Sequence, residues 1–300
     1  MLGGVPTAEW VLLLANVVYA TSYVVTRAVL TEVPPATLAL ARVALGSAIL
    51  VPIAMTFRPA QPVRLARADR WSVFWMGVFG FAGAFALFHW GLARSTATNA
   101  ALLITVEPVS LLLLSPLWLG ERLTRREAGG ALLAVAGAAL VVVNGVPGLT
   151  HTVAPHWQGD LLLVLSGLAY ASYSLFGRDV LSRHAALPVT AWSILWGTAS
   201  MLPLAALEWG RGQVPAWTAT AVVGTLYLSV VITALGYLAW NYALERVKAP
   251  RVAVFLNLQP LVGTLLGVWW LGEPLTAFTV AGGALVVAGL SLTVKAGRSA

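Results

Sequence analysis

"LWLGERLT" at residues 117–124 and "WWLGEPLT" at 269–276 spell nearly the same eight letters, 152 positions apart in a chain of 300. The match does not stop at the octapeptide. Held at that offset, it runs outward without a gap through Leu92/Leu244, Arg94/Arg246, Ala97/Ala249, Ala101/Ala253, Pro108/Pro260, Glu121/Glu273, Gly130/Gly282 and Gly137/Gly289. Upstream, an offset of 151 aligns Tyr19/Tyr170, Ala20/Ala171, Arg27/Arg178, Gly46/Gly197 and Pro52/Pro203. Identity at a constant spacing over so many positions marks an internal duplication. The chain divides into one copy over 1–150 and a second over 151–300.

Composition says where the copies live. Hydrophobic residues make up 59% of the chain and charged residues 10%, with a mean hydropathy of +0.84. Soluble domains carry about 25% charged residues, so this chain cannot cover a water-facing surface and reads as a membrane protein. Crossing the hydrocarbon core takes about 20 apolar residues in a helix. Ten such segments can be marked, at 9–30, 36–56, 71–92, 96–118, 126–144, 159–180, 188–208, 216–241, 249–271 and 277–294. The first follows Glu9 with no basic stretch before it, and so reads as a mature span and not a signal peptide. The absence of cysteine excludes disulfides, iron–sulfur clusters and thiolate metal sites. The pI near 10.2 comes from Lys and Arg scattered between apolar runs, which does not fit nucleic-acid binding.

Five segments per copy is an odd number, so the second copy starts on the opposite side of the membrane. The expected fold is all-α, ten transmembrane helices as two inverted five-helix repeats around a central cavity. With the N-terminus inside, 14 of the 18 Lys and Arg fall in inner segments and three (Arg27, Arg94, Arg211) in outer ones, while Arg42 lies within the second segment. The positive-inside rule then places both termini in the cytoplasm.

The pattern A-x-x-x-A-x-x-x-x-x-x-P followed by W-L-G-E-x-L-T, at 97–124 and again at 249–276, resembles the EamA branch of the drug/metabolite transporter superfamily. Length and aromatic richness look most like the bacterial aromatic amino-acid exporters. The resemblance implies a basket of helices around a central cavity, and export of amino acids or related metabolites across the inner membrane.

Within that frame the candidate site residues follow from position and chemistry. Pro108 and Pro260 fall mid-span, where each removes a backbone donor and breaks the helix ladder, and interrupted helices at matching positions point to a transporter site. Glu107 and Gln259 sit beside them, and an ionisable group at that depth is expected to be functional. A Glu107–Arg42 ion pair between the second and fourth segments is the structural alternative. Tyr19 and Tyr170 recur in the first segments of the two copies, and His89 and Trp90 face Trp240 and Asn241 by repeat position. Tyr19, His89, Trp90, Glu107, Tyr170, Trp240, Asn241 and Gln259 are therefore expected to line the cavity. Glu121 and Glu273 read as solvated helix-end groups, and "TRRE" at 124–127 has capping-box spacing.

The expected function is a secondary transporter, not an enzyme, that exports aromatic and other small amphipathic amino acids by alternating access. Its partners would be a small-molecule substrate, the lipid bilayer and protons, with no cofactor, metal or nucleic acid. A multidrug exporter of the same fold is one rival. An integral-membrane enzyme using Glu107 and His89 is another, although no second catalytic carboxylate accompanies them.

Overall fold

The computed structural model describes residues 7–56, 67–119, 123–146, 156–244, 255 and 258–296. Every one of the ten apolar segments contributes helix. The runs are α1 (Thr7–Val29), α2 (Pro35–Thr56), α3 (Arg67–Ala93), α4 (Ala97–Leu103, then Val106–Leu119), α5 (Arg125–Asn144), α6 (Trp157–Arg183), α7 (Ala186–Gly210), α8 (Ala219–Leu226 through Gly236–Leu244), α9 (Leu258–Leu271) and α10 (Ala277–Ala296). The described parts of α1 to α8 are each long and apolar enough to cross a membrane, and α9 and α10 contain shorter apolar helices. The capping box expected at 124–127 forms in full: Thr124 takes the Glu127 N–H, and Glu127 takes the Thr124 N–H.

The same local irregularities occur in both repeats. α3 winds as a π-helix over Met76–Gly83 and α8 over Tyr227–Leu235, the second starting 151 residues after the first. Wide turns of this kind accompany functional sites because they re-aim side chains. Pro52 and Pro203 lie inside α2 and α7 at equivalent positions. In α4 the helix breaks at Ile104–Thr105, just ahead of Pro108, whose ring excludes the carbonyl four residues back.

Packing displays the inversion directly. A Cβ at Gly137 would lie 2.5 Å from the carbonyl oxygen of Gly282, and one at Gly130 2.7 Å from that of Gly289. Low numbers meet high ones, so α5 and α10 run antiparallel with their backbones touching. Because Gly130 is equivalent to Gly282 and Gly137 to Gly289, exchanging the repeats turns one contact into the other. The remaining neighbours obey the same exchange: α1 packs on α9 as α6 packs on α4, and α3 packs on α7 as α8 packs on α2. Small residues let the helices approach closely where lipid supplies no hydrophobic drive between them. The large apolar side chains left outside, such as Leu132, Leu265, Trp269 and Trp270, face the bilayer.

Candidate functional site

A cavity of about 370 Å³ lies between the repeats, with walls from nine of the ten helices and an extension toward Leu181, Ala186 and Trp240. Tyr19, Glu107, Pro108, Tyr170, Trp240 and Gln259 line it, and so does Arg42. The side chain of Asn241 lies outside what is described, and Pro260 is buried in the first turn of α9 away from the cavity surface.

His89 and Trp90 are not part of the lining, which corrects the sequence reading. Phe85 and Phe88 take the cavity face of α3, and the helical turn of about 100° per residue carries the next two side chains away. His89 is fully buried with its Nδ1 2.6 Å from the Phe85 carbonyl oxygen. Trp90 donates its indole N–H to Glu208 at 3.0 Å. The Arg42–Glu107 ion pair does not form either. Arg42 donates through Nε to Thr233 Oγ1 at 3.0 Å, and its guanidinium carbon lies 4.9 Å from the centroid of Phe85.

The repeats diverge most at Glu107 and Gln259. Gln259 is held at both ends of its amide, donating to Asn16 at 2.8 Å and accepting from Tyr23 at 3.2 Å. The positions equivalent to Asn16 and Tyr23 in the other repeat are Gly167 and Ser174. Neither reaches Glu107, whose carboxyl has no hydrogen-bond or ion-pair partner among the described residues. A Cβ at Gly167 would sit 3.1 Å from the Glu107 nitrogen, so this glycine brings α6 against the broken turn of α4. One half of the site is thus locked by amides while the other presents a free carboxyl.

Aromatic hydroxyls form the rest of the wall. Tyr170 and Tyr237 share a hydrogen bond of 2.8 Å, Tyr173 bonds Thr190 at 3.1 Å, and the rings of Tyr170 and Tyr173 stack at 6.0 Å and 17°. Tyr19 packs over Gly236, where a Cβ would meet its hydroxyl at 2.7 Å. Tyr237, Phe85 and Thr233 were not singled out from sequence. Their signal is faint, because a π-helical turn shifts the face that a 3.6-residue period assigns.

The opposite end of the bundle is closed by carboxylates that cross between repeats. Glu208 at the end of α7 takes the first N–H groups of α2, from Ala36 and Thr37, each at 2.9 Å. Glu273 takes those of α4, from Ala97 at 2.7 Å and Thr98 at 2.8 Å, so it is a cap and not the solvated group expected. Thr218 at the start of α8 donates to Glu32. Asp160 in the first turn of α6 is fully buried and accepts from Ser95 at 2.5 Å and Asn99 at 3.1 Å, with His156 Nδ1 2.6 Å away. Carboxylates at helix N-termini satisfy unpaired N–H groups and offset the helix dipole.

Two stretches of the chain, 6–143 and 157–295, match the model of the EamA-like transporter family. The chain belongs to that family. It is similar to a probable terminal-alkyne amino-acid exporter of Streptantibioticus cattleyicolor, 30% identical across 95% of this chain and 92% of that one. It is similar also to a probable amino-acid metabolite efflux pump of Salmonella typhimurium, 28% identical across 94% and 93%. A crystal structure shares the fold with a TM-score of 0.65 over 98% of this chain and 97% of the other, at 19% identity. This EamA-family member is a multi-pass membrane transporter of the exporter type.

Proposed function

We propose that the protein is a secondary transporter of the bacterial inner membrane, with both termini cytoplasmic, that exports amino acids, including aromatic ones. The repeats 1–150 and 151–300 act as two bodies that rock about the cavity to alternate its access. The observation that carries this reading is the cavity's composition. Walls of tyrosine, Phe85 and Trp240 suit an apolar or flat side chain, while Arg42 and Glu107, which has no partner among the described residues, face the same space without pairing with each other. A purely cationic drug would find Arg42 opposed to it, and a purely anionic one would find Glu107. The printed names of the two relatives, both concerned with amino acids or their metabolites, support the same class.

Purified protein in liposomes loaded with labelled phenylalanine or threonine, or with ethidium, tests it. Saturable efflux of the amino acids with chemically unchanged product is expected. Efflux of ethidium alone would move the protein to multidrug export, and conversion of the substrate would make it an enzyme.

A further inference from the structure

Arg42 is 8% exposed in the middle of α2 and lines the cavity. A guanidinium at that depth is costly unless its charge and donors are engaged. No ion pair joins it to a described carboxylate, and its single hydrogen bond among the described residues is the one from Nε to Thr233. Among the described residues its outer nitrogens, Nη1 and Nη2, donate to no protein group, yet they are not sealed away with the buried unpaired atoms such as His89 Nε2.

We propose that these two nitrogens are the carboxylate anchor of the transporter, and that Thr233 is the residue that positions them. This rests on the central cavity being the substrate site. The planar guanidinium presents parallel N–H groups that match the two oxygens of a carboxylate. The surroundings fix which edge of the fork is offered. Thr233 lies in the π-helical stretch of α8 and donates its own hydroxyl proton to the Leu228 carbonyl, five residues back, at 2.9 Å. With that proton committed, its oxygen is left as an acceptor for Nε. The approach of α8 to α2 depends on Gly46, where a Cβ would come within 2.7 Å of Thr233 Cγ2. The guanidinium carbon lies over the Phe85 ring, 4.9 Å from its centroid, a cation–π contact that restrains it on that side. Nε is therefore taken and the Phe85 side occupied, and the Nη edge remains for the ligand. The other ionisable group of the cavity, Glu107, disfavours a second negative charge on the ligand whenever it is ionised, and offers an acceptor for an ammonium group at the far end. The class is a small carboxylate with an apolar body.

Binding of phenylalanine, 3-phenylpropanoate and phenethylamine to the purified full-length protein separates the possibilities, since the three differ only in which charged group they carry. Wild type is expected to bind both carboxylates and to bind phenethylamine at least tenfold more weakly. Arg42→Gln should lose at least tenfold for each carboxylate and bind phenethylamine no more weakly than wild type does. Thr233→Val, which keeps the shape and removes the acceptor, should weaken the carboxylates several-fold without touching the amine. Should Arg42→Gln fail to fold, Arg42→Lys and Thr233→Val carry the test through the same carboxylate-selective loss. Equal binding of amine and carboxylates by wild type, no binding of either carboxylate, or uniform weakening in the folded variants would overturn the anchor. Arg42-dependent binding of 3-phenylpropanoate without phenylalanine would keep the anchor and remove the amino-acid reading. Phenylalanine transport indifferent to Arg42 would do the reverse.

Discussion

Glu273 closes the first turn of α4 by accepting the N–H of Ala97 at 2.7 Å, and it does so from the other repeat. The glutamate of the repeated octapeptide is therefore a joint between the halves. Its counterpart Glu121 lies outside the described residues. A charged group capping buried N–H donors contributes about 1–2 kcal/mol. Glu273→Ala is expected to lower unfolding stability by roughly that amount, whereas Glu273→Gln, which still accepts one bond, should cost less. Equal melting of all three proteins in a thermal assay would show the contact to be idle.

The glycine crossing of α5 and α10 makes a sharper demand. Gly137 has the Gly282 carbonyl where a Cβ would be, at 2.5 Å, while Gly129, eight residues earlier, has nothing within 4 Å of its own. Gly137→Leu should force the helices apart and cost about 1–3 kcal/mol or more. Gly129→Ala should be neutral or gain up to about 1 kcal/mol from helix propensity. If the two substitutions behave alike, backbone contact is not what joins these helices.

Orientation is testable because the chain has no cysteine. Gln213 and Ala68 are both exposed and lie at opposite ends of the bundle. In intact cells an impermeant thiol reagent should label Gln213→Cys and spare Ala68→Cys. The opposite pattern would invert the topology.

Repeats, helix number and inversion were legible in the sequence, because a duplication at constant offset and an odd helix count leave little freedom. The site was legible only where chemistry is local. Tyr19, Glu107, Tyr170 and Gln259 announce themselves as polar groups inside apolar runs. Glu208 does not, since its partners Ala36 and Thr37 are 172 and 171 residues away. Charge alone offers Arg42 as a mate for Glu107, and the partner it takes instead, a threonine turned inward by a π-helix, has no sequence period to betray it. Trp90 and Trp240 both read as cavity residues, since sequence period does not separate them.

Their separation is itself a prediction. Trp240→Ala should weaken transport of phenylalanine more than of threonine, by about 1 kcal/mol beyond the area lost. Trp90→Phe removes a donor from Glu208 and should cost about 1 kcal/mol of stability while leaving the substrate ranking as it was. A changed ranking in Trp90→Phe would return that residue to the cavity.

Glu107 carries the last prediction. Gln259 shows that the fold accepts an amide beside the second proline, so Glu107→Gln changes charge and proton capacity with little change of shape. The difference in surroundings is equally informative, for Gln259 is gripped by Asn16 and Tyr23 whereas the equivalent positions beside Glu107 hold Gly167 and Ser174, which give its carboxyl no hydrogen bond. A carboxyl with no partner among the described residues is costly inside a membrane protein, and a proton or a substrate ammonium arriving once per cycle is what would repay it. In liposomes with an imposed pH gradient, wild-type export is expected to accelerate when protons can move against the substrate. Glu107→Gln should lose that response and keep exchange of substrate for substrate, which needs no net proton movement. Retention of the pH response in the variant would take the proton away from Glu107. Loss of exchange as well, with the protein still folded, would assign the carboxyl to the substrate's ammonium group.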